Sequence, residues 1–524
     1  MQSLFSLRRS LPAASILLLT LSSAALCQDP KLSVLGSFRA GPFNQGAAEI
    51  VAHDPASQRL FVVNGADKTI DIIDIKDPAK PNRIAQIAIP MEHGVSANSV
   101  AVRNGIVAVA AEALVRTDPG SCVFFDTDGN FLNAVKAGSL PDMLTFTPDG
   151  KKVLVANEGE PNIDYSVDPE GSISIIDISG GIEGLTQANV RQVTFGSFTR
   201  DSLEPGIRIF GPGASVAQDL EPEYIAISPD SKTAYVTLQE NNAIAIVDVE
   251  TATVTRIAAL GTKDHSIRGN EIDASDRDGS AQFRTWNVRG MYQPDAIVTY
   301  TGADGQLFVI TANEGDAREY GTAYVEAARV ASVRLDPTAY PNAAELQAAT
   351  ALGRLNISTA SGDTDGDGDF DQLYAFGARS FTVWTPDLRP WWDSHNQLEV
   401  FSAADRLEAF NVSNSDNTAD SRSDDKGPEP EALAIGTVRG KNYLFVGNER
   451  TSNIMIYDLA DPGAPRYTGQ VWNRRVNVDV TSPEAGDLGP EGITFVAAEN
   501  SPNGKPLLIV ANEISGTTTI WQID

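Results

Sequence analysis

The sequence predicts an all-β protein, a seven-bladed β-propeller, and three observations carry that prediction. One strand pattern recurs along the chain, the last copy lacks its final strand, and a matching lone strand stands ahead of the first copy. In each copy an acid, usually after Pro, opens an apolar strand. A Pro-Asp-Gly-like turn follows, a second strand ends at Asn-Glu, and a third strand ends in Asp. Alternating and β-rich composition identifies these runs as strands rather than helices.

The clearest copy is Pro222-Glu223-Tyr224-Ile225-Ala226-Ile227, a turn at Ser228 to Lys232, a strand at Ala234 to Leu238, then Glu240, then Ala243 to Asp248. Openings fall at Glu49, Asn98, Asp142, Glu223, Asp295, Glu431 and Glu491. The second strands run out at Asn64, Glu112, Glu158, Glu240, Glu314, Glu449 and Glu513. The copy at Asn98 lacks both the Pro and the turn, which leaves counts of six and eight open. A fourth strand closes most units, as at Asn82 to Ala88 and Thr253 to Ala259. The last unit stops after Thr518 to Ile523, and Leu32 to Arg39 supplies the strand it lacks, the circular closure that leaves a propeller only short protected edges.

Two insertions interrupt the pattern, at about 180–220 and about 315–371, on loops where a rigid scaffold usually carries specificity. Asn411 to Lys426, dense in Ser, Asn and Asp, reads as an exposed, mobile connection. Residues 1–27 read as an export leader: Arg8 and Arg9, an apolar run from Leu11 to Leu21, then small residues. The rest, 28–524, is expected to be a single propeller domain, secreted or periplasmic and monomeric, with no membrane span. If Cys27 leaves with the leader, Cys122 is alone, which excludes a disulfide framework and a Cys-based zinc site. The net charge of −29 argues against nucleic acid or an anionic membrane as partner and makes cations the natural ligands.

Because the second strand of a blade returns antiparallel to the first, its end meets the first strand's start. The opening acids Glu49, Asp142, Glu223, Asp295, Glu431 and Glu491 should therefore converge near the channel, with Glu158, Glu240, Glu314, Glu449 and Glu513 nearby. So many carboxylates cannot all ionise together unless a cation compensates, and hard oxygen ligands suit calcium best. Against this stands the simpler reading that Pro-Glu and Asn-Glu merely fit strand ends. A second calcium candidate is Asp363-Thr364-Asp365-Gly366-Asp367-Gly368-Asp369-Phe370-Asp371, with Gly at its sixth position but Tyr374 at the twelfth, where an EF-hand has its bidentate acid.

The four histidines show no metal-ligand spacing, and neither a nucleophile elbow nor a phosphate-binding glycine loop occurs. If there is catalysis, it is metal-dependent phosphoric ester hydrolysis, with Arg318 or Arg379 holding the substrate. Trp384, Trp391 and Trp392 offer a stacking surface for a sugar or, more simply, core packing. Asn356-Ile357-Ser358 and Asn411-Val412-Ser413 fit the N-glycosylation pattern.

Several long motifs resemble the choice-of-anchor I family, which includes mesenchyme-specific cell surface glycoproteins. They are Pro141-Asp142-Met143-Leu144, Ala156-Asn157-Glu158-Gly159-Glu160-Pro161, Thr311-Ala312-Asn313-Glu314-Gly315-Asp316-Ala317-Arg318, Gly377-Ala378-Arg379-Ser380-Phe381, Gly427-Pro428-Glu429-Pro430-Glu431 and Gly489-Pro490-Glu491-Gly492-Ile493. The resemblance covers nearly all of the chain beyond the leader and implies an extracytoplasmic propeller, often tethered by C-terminal anchors. This sequence ends at Asp524 on a strand without a sorting signal, so the resemblance does not carry surface attachment over. Some relatives have alkaline-phosphatase-like names, and Pro-Glu-Gly-Ile is similar to calcium-dependent phytase-like propellers. The expectation is a calcium-binding extracellular scaffold for a carbohydrate, a phosphate-bearing ligand or a protein. A calcium-dependent phosphoesterase is the alternative.

Overall fold

The computed structural model describes residues 28–524, so the expected leader lies outside the described residues. The protein is all-β, and among the described residues the longest helix is Gln397–Asp405. The described residues form seven four-stranded sheets, each antiparallel throughout. Their first strands are Val51–Asp54, Ser96–Arg103, Pro141–Phe146, Ile225–Ile227, Ile297–Thr301, Pro430–Val438 and Pro490–Val496. In the last sheet the fourth strand is Leu32–Arg39, which pairs with Thr517–Ile523 from Leu32 opposite Ile523 to Arg39 opposite Thr517.

The first strands pack against one another in chain order, and Pro490–Val496 packs against Val51–Asp54. The apolar core lies between sheets rather than within one central mass. Phe61, Ile72, Val109 and Val123 fill one such layer, and Leu154, Ile175, Val236 and Val247 another. Val62, Ile73, Ile509 and Ile520 fill the layer between the last sheet and the first. Middle strands are covered on both faces, hence runs such as Leu507–Asn512 with every residue buried, whereas outer strands face water. Asn82–Ala88 is exposed at all but Ile87, and its Asn, Arg and Gln side chains leave little to attract another strand.

The structure revises three readings of the loops. The stretch from 180 to 220 is not all insertion, because Val190–Thr194 is the fourth strand of the third sheet. With four of its five residues half-buried or exposed, that strand has too little apolar alternation to announce itself. The insertion at 315–371 has its own small core of Val330, Tyr340, Leu352 and Leu355, shared with Ile272 and Val288 from a third excursion before the fifth sheet. Segment 411–426 is tucked in, with Asn411, Asn414, Asp420, Ser423, Asp424 and Lys426 all buried, because its polar side chains find partners inside. Asn411, fully buried and bonded to Glu399 and Ser423, offers no accessible amide for a glycan.

Ile509→Ala, in the middle of an inter-sheet layer, should lower unfolding free energy by about 2–5 kcal/mol in urea. Ile84→Ala, on an exposed outer strand, should stay within about 0.5 kcal/mol.

Candidate functional site

At one end of the ring of first strands the opening acids gather. Pro precedes Asp142, Glu223, Asp295, Glu431 and Glu491, and at Leu140, Gln293, Glu429 and Gly489 the residue before that Pro takes a positive φ, so the chain turns sharply as it enters the strand. The Glu49 amide donates to Val63 O and the Glu223 amide to Thr237 O, so each backbone is held by its own second strand. Asn98 occupies the corresponding place in the second sheet and donates to Pro141 O. Glu49, Asn98, Asp142, Asp295 and Glu491 line a shared cavity of about 350 Å³, with Tyr224 in its wall.

The electrostatics of this ring follow from crowding. Burial, then neighbouring charge, pushes the Asp142 carboxyl up to about 7, Asp295 to about 6 and Glu49 to about 8. Glu223, Glu431 and Glu491 rise well above the usual carboxylate range for the same reasons. Glu431 and Glu223, on the neighbouring sheets, both act on the Asp295 carboxyl and oppose part of its rise. The Glu223 Oε2 atom is buried without a hydrogen-bond partner. Among the described residues none of the six acids forms an ion pair. Glu223 Oε2 is thus an orphaned acceptor amid carboxyls whose charge the protein's own bases leave largely uncompensated.

The second-strand ends behave differently. In each Asn-Glu pair the period of two turns the Asn inward and the Glu outward. Asn157 donates to Ser174 Oγ and Asn313 to Thr382 Oγ1 inside their sheets. Glu314 is held beside Gly377 by a close backbone approach, since a Cβ on Gly315 would lie 2.1 Å from the Gly377 nitrogen. Glu314, Glu449 and Glu429, the last overlooked in the sequence, bring oxygens within 4.8 Å of one another. This cluster has cations from the protein itself: Lys426 Nζ is 2.6 Å from Glu314 and 3.1 Å from Glu429, while Arg450 reaches Glu429 at 3.0 Å and Glu449 at 3.2 Å. Arg422 adds a third positive charge on Glu429, and together they hold its carboxyl well below the usual range. The sequence analysis names Glu314 and Glu449 as metal ligands; the structure brings their oxygens together and sets the Lys426 ammonium, from the buried 411–426 segment, against Glu314.

Glu158, Glu240 and Glu513 are pushed upward, first by burial; Asp142 is the next cause for Glu158, while Arg318 and Arg450 oppose the rise at Glu240 and Glu513. Arg318 is buried, paired with Asp219 and with Glu221 at 2.9 Å, and lies 4.6 Å over the Phe210 ring. It still lines a cavity of about 700 Å³ at the mouth, together with Arg116, Arg422, Lys426 and Arg450. Arg379 does not serve this mouth. Its guanidinium donates to Glu399, Asp273 O, Ser423 O and Asp425 O, tying loops together. The mouth's other basic residues were legible only in Asn448-Glu449-Arg450, where a base follows the repeated acid.

In the exposed loop, Asp363, Asp365 and Asp371 converge within 4.8 Å, and Asp369 joins Asp371 and Asp336 in a second group. Asp367 faces Arg334 instead, at 3.5 Å. The tryptophans do not form one platform: Trp384 is in the core, bonded to Thr311 Oγ1, while Trp391 is half exposed. His265 is buried, and burial pulls its imidazole down to about 3.

The choice-of-anchor I domain model matches residues 49–462. The chain belongs to the choice-of-anchor I family. It is 30% identical over 324 residues to a mesenchyme-specific cell surface glycoprotein of Strongylocentrotus purpuratus, covering 54% of this chain and 39% of that protein. It is 33% identical over 184 residues to gigasin-3a of Magallana gigas, covering 33% of this chain and 64% of that protein. The matches therefore span less than two thirds of either relative. Among solved structures it is similar to the β-propeller domain of Cps50 (Swd1), at 9% identity and TM-score 0.45, covering 94% of this chain and 100% of that one. It is also similar to the WD40 domain of Toxoplasma gondii coronin, at 8% identity and TM-score 0.46, covering 95% and 86%. Among the described residues of this choice-of-anchor I chain no helix is long and apolar enough to cross a membrane.

Two measurements check the electrostatics. The ring carboxyls have folded-state values raised above their unfolded ones, so the native state binds more protons, and stability present below about pH 4 is lost as pH rises through 6 to 8. Metal-free protein should melt lower at pH 8 than at pH 5.5, and Asp142→Asn should flatten the difference. Lys426→Met leaves Glu314 and Glu429 less compensated and should cost about 3–5 kcal/mol in urea unfolding.

Proposed function

We propose that this choice-of-anchor I chain is an extracellular, calcium-dependent binding module. In this reading residues 1–27 are a removed leader, and the remainder is a single domain, a seven-bladed propeller closed by its N-terminal strand. The seven four-stranded sheets, the pairing of Leu32–Arg39 with Thr517–Ile523 and the core layer joining the last sheet to the first support the blade count and the closure. The name of the sea-urchin relative supports the extracellular setting.

The observation that carries the functional reading is the set of opening acids, of which Glu49, Asp142, Asp295 and Glu491 line one cavity, with Arg116 the base in its wall and Glu223 Oε2 orphaned beside it. Glu223, Asp295 and Glu431 would hold the ion, since they stand at the starts of three neighbouring first strands and act on one another's carboxyls. The loop acids Asp363, Asp365 and Asp371 would hold another. Bound in the ring, calcium supplies positive charge to a phosphoryl or carboxylate oxygen at the mouth. Arg116, which lines both cavities, and Lys426 and Arg450 beside it orient that anionic group by charge-assisted hydrogen bonds. The partner is accordingly an acidic carbohydrate, a phosphate-bearing ligand or an acidic protein surface. Nucleic acid is disfavoured by the net charge of −29.

A calcium-dependent phosphoesterase is the second reading, favoured by one observation: the basic mouth and the carboxylate ring meet at Arg116. Calorimetry with calcium, and hydrolysis of p-nitrophenyl phosphate and phytate with calcium or chelator, separate the two. The binding module predicts bound calcium lost from the ring in Glu431→Gln and no turnover in the wild type. Calcium-dependent turnover abolished in a Glu431→Gln variant that melts normally would establish the enzyme. Calcium stoichiometry unchanged by Glu431→Gln would remove the ring site from both.

A further inference from the structure

Away from the mouth, a second group of carboxyls has no role in the reading above. Asp273, Asp278 and Asp420 bring ligand oxygens within 4.8 Å of one another. Asp273 and Asp278 lie in the excursion before the fifth sheet, and Asp420 comes from the buried 411–426 segment, so the group bridges two loops far apart in sequence. Two of the carboxyls are already oriented: Asp273 accepts from the Gln282 amide at 2.7 Å, and Asp420 accepts from the Ser280 amide at 3.0 Å and the Ser423 hydroxyl at 2.6 Å.

The independent observation is a pair of orphaned oxygens. The Asp278 side chain is only 5% exposed, and its Oδ1 atom is buried without a hydrogen-bond partner. Ser280 Oγ, one residue beyond Gly279, is likewise buried and unpartnered. Arg284, 3.7 Å from the other Asp278 oxygen and half exposed, is too distant and too wet to balance three acids, and the buried Arg379 directs its hydrogen bonds to Glu399 and to the carbonyls of Asp273, Ser423 and Asp425 rather than to these carboxylates. Buried acceptors left without donors are costly, and a cation is the partner that satisfies several at once.

We propose that Asp273, Asp278 and Asp420, with the Ser280 hydroxyl, form a site for a hard divalent cation that pins the 273–282 loop to segment 411–426. An all-oxygen donor set carried on two loops suits calcium, which takes about six to eight oxygens in flexible geometry, better than magnesium, which demands a near-ideal octahedron. The crowding agrees: burial, then Asp273, pushes the Asp420 carboxyl up to about 7. The ion would lie beside the Arg379 guanidinium, which already joins Asp273 O to Ser423 O. It would thereby steady the segment that carries Arg422 and Lys426 to the mouth.

Calcium content of the full chain after equilibrium dialysis, for wild type beside Asp278→Asn and Ser280→Ala, counts this site. The expected result is one calcium fewer per chain in Asp278→Asn, with affinity for that ion weakened at least ~10-fold. Hydrogen exchange in 411–426 should be slowed by calcium in the wild type and not in the variant. Because Asp278→Asn removes charge without changing volume, its metal-free form should melt at or above metal-free wild type. Glu431→Gln, confined to the ring, should leave this ion bound, so failure here and failure of the ring are distinguishable. Unchanged calcium stoichiometry in Asp278→Asn, or a metal-free variant melting well below wild type, overturns the site and leaves the carboxylate serving Arg284 alone.

Discussion

Carboxylates that share a low-dielectric cavity repel one another, and each must be protonated, paired with a base or bound to a cation. Much of the arrangement at the mouth follows from this constraint, because the repeat places an acid at the start of most first strands and at the end of most second strands. The chain answers it in different ways in neighbouring places. At Glu314, Glu429 and Glu449 the answer is Lys426, Arg422 and Arg450. At Glu221 it is Arg318. Around Glu223, Asp295 and Glu431 no base is bonded, and burial and mutual repulsion raise the carboxyls toward their neutral forms instead.

The same constraint explains why segment 411–426 is buried despite its composition. Ser, Asn and Asp in sequence suggest a solvated linker, yet several of them donate to acceptors inside: Asn411 to Glu399, Asn414 to Glu449, Ser423 to Asp420. Arg379 and Arg474 donate to backbone carbonyls of the segment at several points, which offsets the cost of burying its polar atoms. A linker of the same composition without these arginines would have stayed in water.

The sheets themselves were readable. The Leu32 to Arg39 strand, the third strand at Ala243 to Asp248 and the fourth at Thr253 to Ala259 stand where alternation put them. Val190–Thr194 escaped notice because an outer strand buries one residue in five and so leaves almost no pattern. Glu429 escaped because Glu431, two residues on, fits the repeat and Glu429 does not. Its positive φ of 53° turns its side chain away from the run of the strand and toward Lys426 and Arg450.

Sequence alone determined what recurs: the strands, their acids, the family and the convergence of one acid from most sheets, since period and chain direction are local properties that repeat. Only the tertiary structure decided which acids meet a base. Lys426 reaches Glu314 across 112 residues and Arg318 reaches Asp219 across 99, distances over which no local periodicity operates. The pairing depends on where the insertions fold back over the ring, and that is set by their own packing around Val330, Tyr340 and Leu355, not by the repeat they interrupt.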